Sequence, residues 1–254
     1  MNFDSYIVSE TKTALSIPVS TSVLSSRKTI KQKAFTLAEV LITLSIIGIV
    51  AAMTVPTLMA NVNKQIYVTG LKKAYNQLQN AMRMMPISEG CSAGDFECVG
   101  LPEIGWDESS YFWDTTAELL SRQYKVKKIC YKKTDPGCDW DRNPQMFPGF
   151  MTEDGSQVFV TRSSTFGIKV DVNGEKGPNK DGQDIFDFYI VTSKYWGNAT
   201  NLPIGTVLPA GSQKVADAFN QSSYAYWKTN KNCVDEGNWN LCAARVLETG
   251  KIDY

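Results

Sequence analysis

The chain of 254 residues has 26 basic and 26 acidic side chains and no histidine, so its formal net charge is zero. The lack of histidine excludes Ser-His-Asp catalysis, Cys-His catalysis and histidine-ligated zinc sites. Five basic and three acidic residues precede position 60, so the remainder has a net charge of about −2, without the basic excess typical of nucleic-acid binding.

A basic stretch followed by a long apolar run occupies the N-terminal region. Four basic residues lie between positions 27 and 33, and residues 40–59 contain no charged side chain. Such a run forms about 30 Å of helix, which is the thickness of the hydrocarbon core of a bilayer. Glu39 lies immediately before the run, and an acid beside a membrane helix is unfavourable unless it has a partner.

Two general interpretations of this run leave features unexplained. A secretory signal peptide would have a shorter apolar region, of about 7–15 residues, ending in a small-residue cleavage site. A plain membrane anchor explains the length and the basic flank, which would stay cytoplasmic. It explains neither Glu39 nor the abrupt change from basic to apolar sequence at Ala34-Phe35.

Residues 33–39, with the sequence KAFTLAE, resemble the processing site of type IV prepilins and type II secretion pseudopilins. In that family a membrane peptidase cuts after a small residue and methylates the new N-terminal residue, usually Phe. The resemblance implies cleavage after Ala34, methylation of Phe35 and an assembly role for Glu39, which is then the fifth mature residue. Pro56 lies where many members have a proline, at the twenty-second mature residue.

The leader that this cut would remove, residues 1–34, departs from the commonest pattern. Ala34 replaces the usual Gly, and the leader is long. Residues 9–26 are rich in Ser and Thr without apolar periodicity, so we expect disorder there. A working start nearer Arg27 is an alternative.

From Asn61 onwards the sequence becomes amphipathic. Pro86 predicts the end of this pattern, so we expect one helix over residues 35–85, about 75 Å long. Gly48 and Pro56 are its weak points, where the resemblance implies that the helix unwinds locally in a filament. The apolar residues that follow three- and four-residue spacing, and therefore share one face, are Tyr67, Leu71, Ala74, Tyr75, Leu78, Met82 and Met85.

The remainder predicts a small α+β head. Residues 86–150 are rich in loop signals, with a short helix at 111–124. Three antiparallel strands, which the amphipathic helix covers, are predicted at 157–162, after a turn at Asp154-Gly155, at 166–172 and at 186–190. The alternation over 166–172 predicts that this strand is half-buried. Short helices are expected at 213–229 and 240–248. The predicted fold is a long N-terminal helix packed on a small antiparallel sheet, as in pilins. The predicted organisation is a leader (1–34), a transmembrane and assembly helix (35–59) and an extracytoplasmic head (60–254).

All six cysteines follow the apolar run. With the basic leader inside, the head lies outside the cytoplasm, where disulfides persist. Six cysteines permit 15 pairings. A four-thiolate metal site is the alternative, but the separations of seven, eight and nine residues are wide for a zinc knuckle. The grouping favours three disulfides, each closing a polar loop rather than a core: Cys91–Cys98, Cys130–Cys138 and Cys233–Cys242.

The segment 171–184 concentrates oxygen ligands and glycines, as calcium loops do. Asp171 and Asn173 fit the first and third ligand positions of an EF-hand, but Lys176 and Gly182 replace its invariant Gly and closing Glu. Some major pseudopilins have a loosely similar calcium loop. A turn system that needs no ion is the alternative. The candidate calcium ligands are Asp171, Asn173, Asp181 and Asp184.

The resemblance implies a non-enzymatic structural subunit of a type IV pilus or a type II secretion pseudopilus, assembled through its N-terminal helix. Its implied partners are prepilin peptidase, other pilin or pseudopilin subunits, an inner-membrane assembly platform and membrane lipid. The expected location is the inner membrane, single-pass with the head outside the cytoplasm, and later a cell-surface or periplasmic filament. No cofactor is certain, and calcium is the candidate.

The alternative is a monomeric, membrane-anchored extracytoplasmic binding protein, with or without calcium dependence. Such a protein would not need Glu39 beside a cut site. A catalytic carboxylate pair is the third and most distant interpretation.

Changing Ala34 to Leu tests the cut site. The peptidase needs a small residue where it closes on the chain, so we expect the Ala34→Leu precursor to accumulate at full length in the membrane. Ala34→Gly is the matched control and should be processed at least as well as wild type. Immunoblots of membrane fractions measure both, and equal processing of all three proteins would contradict the assignment.

Overall fold

The coordinates are a computed structural model. The chain divides into two units, residues 1–50 and residues 51–254. The described residues are 35–100, 110–138, 148–161, 166–191, 201–219, 226–228, 233 and 241–254. The predicted leader therefore lies outside the described residues.

The first helix, α1, runs from Leu37 to Ser88 and has 52 residues. In the first unit, every described side chain from Phe35 to Val50 is exposed. Among the described residues, α1 is the one helix long and apolar enough to cross a membrane, with a window of mean hydropathy 2.2. Length and composition alone support this, and some signal sequences and core helices have the same properties.

The predicted end of α1 at Pro86 is wrong. Proline removes one N–H donor and crowds the preceding turn, but Pro86 is buried and the helix continues for two residues beyond it. The helix ends where Gly90 takes a φ of +80°. The Gly90 N–H then donates to Ile87 O at 3.1 Å, and the Cys91 N–H donates to Pro86 O at 2.8 Å. These two bonds form a Schellman motif, for which glycine is the preferred residue.

The amphipathic face predicted for α1 is confirmed in the second unit. Tyr67 and Tyr75 pack at its margin, partly buried. The Tyr75 ring stacks on Phe188, with ring centroids 5.8 Å apart. The buried side chains recur at three- and four-residue spacing, as one face of a helix requires: Val68, Leu71, Ala74, Leu78, Ala81, Met82 and Met85.

A six-stranded antiparallel sheet packs under α1. Each strand pairs with its neighbours in the sequence, so the sheet is a simple meander in the order β1 to β6. The strands are β1 (Val126–Cys130), β2 (Gly149–Thr152), β3 (Gln157–Thr161), β4 (Gly167–Asp171), β5 (Ile185–Ile190) and β6 (Val207–Pro209).

The α+β pilin-like fold is confirmed, but the sheet has six strands rather than the three that were predicted. The three predicted strands are β3, β4 and β5. The missed strands carry weak signals, because β1 contains the lysine pair Lys127-Lys128, β2 has four residues and β6 has three, the last of them a proline. Short strands without clean alternation cannot be told from loops by periodicity.

The described residues of the second unit form three further helices: α2 (Ser110–Ser121), α3 (Gln213–Phe219) and α4 (Cys242–Thr249). Helices α2 and α4 confirm the expectations at 111–124 and 240–248. The expectation of helix up to residue 229 is wrong at residues 226–228, which form a turn. There the Trp227 N–H donates to Gly211 O at 3.1 Å instead of to a helical carbonyl. Residues 220–225 and 229 lie outside the described residues.

The expectation of a half-buried strand at 166–172 is also wrong, because loops and α3 cover the second face of the sheet. One face carries Phe186, Phe188 and other apolar residues of the core under α1. On the other face, Phe159 packs against the Cys130–Cys138 disulfide, and Leu208 packs against Val215 of α3. Polar strand residues on this second face are therefore buried, including Asp171 and Asp187.

The structure pairs the six cysteines between sequence neighbours, as their grouping favours. The Cα–Cα separations are 6.0 Å for Cys91–Cys98, 5.8 Å for Cys130–Cys138 and 5.3 Å for Cys233–Cys242. The expectation that all three close polar loops is wrong, since the second and third pairs are fully buried. For Cys130–Cys138 the cause is again the covering of the second face, where the pair packs against Phe159.

Gly70 of α1 lies close to Val172, the residue that follows β4. A Cβ added at Gly70 would lie 2.9 Å from the Val172 Cβ, which is shorter than the distances that Cβ atoms keep from other atoms in proteins. Alanine in a helix interior normally stabilises by about 1 kcal/mol over glycine. Here we expect Gly70→Ala to destabilise instead, by about 1–3 kcal/mol, because it overpacks the contact.

Thermal unfolding of the full chain in detergent measures this effect. The double variant Gly70→Ala with Val172→Ala should recover stability, since it removes the opposing methyl groups. A higher Tm for Gly70→Ala alone would contradict the close packing.

Candidate functional site

The predicted processing region lies at the start of α1. Phe35 is 85% exposed, and the helix begins two residues later. Ala34 lies outside the described residues. The geometry of the cut itself is therefore not part of the described structure, and its position stays a prediction.

Glu39 and Thr36 form a reciprocal hydrogen-bonded pair in the first turn. The Thr36 backbone N–H and hydroxyl both donate to Glu39 Oε2, at 2.8 and 2.9 Å. The Glu39 N–H donates back to Thr36 Oγ1 at 3.2 Å. This arrangement is a capping box, in which two side chains satisfy N–H groups that the helix leaves unpaired.

The capping box fixes the direction of the Glu39 carboxylate. Both bonds from Thr36 go to Oε2, so Oε1 makes no hydrogen bond within the described residues. The carboxylate also lies at the positive end of the helix dipole. Our sequence analysis did not single out Thr36, although Thr followed three residues later by Glu is the signature of this box.

Pro56, the second predicted assembly residue, lies inside α1 with its side chain exposed. The helix is continuous through this position. Gly48 likewise sits in regular helix, with open space around its Cα. Local unwinding at these two residues is an expectation for an assembled filament and stays a prediction.

In the segment 171–184, two candidate calcium ligands organise turns of the backbone. Asp171 Oδ1 accepts the N–H groups of Asn173 and Gly174, at 3.1 and 2.7 Å. The Asp184 carboxylate accepts those of Asn179 and Lys180, at 2.8 and 2.7 Å. The bond from Asn173, two residues on, makes an Asx turn at Asp171, whereas Asp184 ties back the backbone four and five residues before it.

The other two candidate ligands do not join them in one donor set. Asp181 Oδ1 lies 2.6 Å from Lys169 Nζ, so a cation already occupies this oxygen. Asn173 Nδ2 donates to Lys176 O, while its buried Oδ1 has no hydrogen-bond partner. No group of three or more acidic, cysteine or histidine side chains converges among the described residues. The four candidate side chains do not converge in this structure, and the calcium site stays a prediction beside the turn system.

The second face of the sheet holds an ion cluster that the sequence analysis missed, with Lys169 and Asp187 largely buried and Asp181 41% exposed. Lys169 on β4 lies between Asp181 and Asp187, the latter on β5. Burial raises the pKa of Asp187 to about 6, although Lys169 opposes the shift. Burial would lower the pKa of Lys169, but the two carboxylates outweigh it and raise that pKa. Lysine on an alternating strand normally predicts a solvent-facing side chain, so the sequence carried no signal of this cluster.

A calcium titration tests the turn interpretation. The carboxylates of segment 171–184 already have backbone or lysine partners, so we expect the same Tm in chelator and in millimolar calcium. Asp171→Ala should lower the Tm by the same amount in both buffers, because it removes turn-forming bonds. A Tm that rises with calcium in wild type but not in Asp171→Ala would instead establish the ion site, since a ligand stabilises the state that binds it.

Comparison with known proteins finds a family match near the N-terminus of the chain. Residues 30–55 match the family model described as the prokaryotic N-terminal methylation motif. This range includes Ala34, Phe35 and Glu39, and ends one residue before Pro56. No curated protein and no solved structure matches the chain. The chain therefore carries a prokaryotic N-terminal methylation motif, the type IV pilin-like prepilin signal, at residues 30–55.

Proposed function

We propose that this protein is the precursor of a structural filament subunit, of a type IV pilus or a type II secretion pseudopilus. Prepilin peptidase cleaves it after Ala34 and methylates Phe35, and the mature chain assembles through residues 35–59. The observation that carries the proposal is the methylation motif at residues 30–55 with Glu39 in register at the first turn of α1.

The exposed apolar surface of α1 supports membrane insertion before assembly. In the first unit, Leu41, Ile42, Ile46 and Ile47 are each more than half exposed. Apolar surface of this extent is unfavourable in water. Lipid covers it in the membrane, and the helices of neighbouring subunits cover it in the filament. Membrane anchoring is the part of this account that the motif and the apolar helix support most directly.

Cleavage changes the partners available to Glu39. In the precursor, Thr36 satisfies one carboxylate oxygen, and the residue at position 35 has no free amine. After cleavage Phe35 carries an amino group, which can pair with the Glu39 carboxylate of a neighbouring subunit. Placing an acid in a membrane helix costs up to about 3 kcal/mol, and pairing in the filament core offsets this cost. Assembly is thereby favoured over the isolated inserted subunit.

The orientation follows from charge and redox chemistry. The basic residues between positions 27 and 33 remain cytoplasmic by the positive-inside rule. The head, residues 60–254, then lies outside the cytoplasm, where its three disulfides persist. The protein is single-pass in the inner membrane before assembly, and its partners are the peptidase, the assembly platform and other pilin-like subunits. It acts without catalytic chemistry of its own.

The monomeric anchored binding protein remains the alternative function. It requires an anchor and a head, but it has no use for a carboxylate at the fifth mature position. The behaviour of Glu39 variants therefore distinguishes the two proposals.

Changing Glu39 to Gln separates its two roles. Glutamine preserves the capping box with Thr36 but cannot form an ion pair with the Phe35 amine. We expect Glu39→Gln to be cleaved and inserted as wild type but incorporated into filaments roughly tenfold less, which corresponds to about 1.4 kcal/mol of lost pairing. Glu39→Lys should be worse, because it places two cations together.

Filaments sheared from cells and quantified by immunoblot measure this effect, with membrane-bound subunit as the reference. Glu153→Gln, an exposed change on the head, is the matched control and should assemble normally. Wild-type incorporation of Glu39→Gln would show that helix capping is sufficient and would remove the ion-pair role.

A further inference from the structure

The ion cluster on the second face of the sheet brings an amine against a carboxyl group. Lys169 and Asp187 are directly opposite each other on the paired strands β4 and β5. Lys169 Nζ lies 3.2 Å from each of the two Asp187 carboxylate oxygens. The Lys169 amine is therefore equidistant from the two carboxylate oxygens of Asp187.

A second carboxylate completes the cluster. Asp181 Oδ1 is 2.6 Å from the same Nζ. It belongs to the turn that closes segment 171–184, where the Gly182 N–H donates to Ile185 O at 2.8 Å. This turn places Asp181 beside the amine of Lys169.

The surroundings exclude most of the solvent from the two reacting groups, whereas the side chain of Asp181, the proposed proton carrier, is 41% exposed. The side chain of Lys169 is 14% exposed and that of Asp187 is 12% exposed. Phe159, fully buried, is directly opposite Lys169 on β3. One lysine and two aspartates leave this pocket with an excess negative charge. Buried ions carry a desolvation cost that their mutual attraction repays only in part, so a reaction that removes two of the charges relieves this cost.

We propose that Lys169 and Asp187 condense to form an intramolecular amide bond that joins β4 to β5. The unprotonated Lys169 Nζ attacks Asp187 Cγ and forms the C–N bond. One Cγ–O bond breaks, and its oxygen leaves as water. Overall, one ammonium and one carboxylate give one amide and one water molecule, without an oxidant, a reductant or a further reactant.

Asp181 moves the protons in this reaction. Its Oδ1 accepts a proton from Nζ, which frees the nitrogen lone pair, and returns it to the departing oxygen. General acid–base groups within hydrogen-bond reach of the reacting atoms act in this way. The tendency of Asp187 to hold a proton, with its pKa raised by burial, favours the neutral carboxyl group that the attack requires. Because the ion pair is the resting form of Lys169, the bond forms slowly and once, during maturation.

An ordinary Lys–Asp contact on the same chain provides an internal control. Lys73 donates to Asp154, as Lys169 does to Asp187, but these side chains are 54% and 38% exposed. Water solvates both groups there, so this pair should stay ionic. Any chemical artefact that links lysines to carboxylates would affect this exposed pair first.

The test is the intact mass of the full chain, produced in cells that lack prepilin peptidase, purified in detergent and corrected for the hydrogens lost on disulfide formation. We expect wild type to be lighter than its sequence by one water molecule. An amidated Lys169 resists trypsin, so digestion should yield residues 163–176 joined to residues 181–194. Lys73 and Asp154 should appear in unlinked peptides.

Two variants assign the chemistry. Lys169→Arg keeps the positive charge but cannot form the amide, so its mass should equal that of its sequence. Asp181→Asn keeps both reacting groups but removes the proton carrier, so it should also remain unlinked. Full linkage in Asp181→Asn would exclude Asp181 from the reaction. A wild-type chain of full sequence mass, with trypsin cleaving after Lys169, would overturn the proposal.

Discussion

One continuous helix has to satisfy two different environments, and the rest of the structure depends on this constraint. In the first unit the described part of α1 is exposed on every side. In the second unit, the same helix buries Leu71, Leu78 and Met82 against the sheet. Burying side chains of this size contributes about 1.5–3 kcal/mol each. The packed face therefore provides the folded core, while the bare turns remain available for lipid or for other subunits.

The parts of the fold that the sequence predicted well are those with a strong period. The 3.6-residue period of α1 and the two-residue period of β4 and β5 identified the core correctly, since each records a buried face. The end of α1 did not follow from Pro86, because the stop is made by the left-handed Gly90. Strands β1, β2 and β6 are short and irregular, and only their pairing with longer neighbours makes them strands.

The candidate site shows the same division between local and tertiary information. The capping box of Thr36 and Glu39 is local and could have been read from their spacing. The disulfide pairs also followed from grouping along the chain. In contrast, Asp171, Asp181 and Asp184 suggested calcium by composition, whereas the fold gives them backbone N–H groups and Lys169 as partners. Composition predicts which atoms are available, but only the fold determines what they bind.

The central claim is that the chain is cleaved between Ala34 and Phe35. Cleavage removes the leader and creates an amine four residues before Glu39. Mass spectrometry of the N-terminus of the membrane-bound mature protein tests this most directly. The account predicts a chain that begins at Phe35 and carries one methyl group on its amine. A mature chain that begins at Met1, or within the apolar run of residues 40–59, would contradict it.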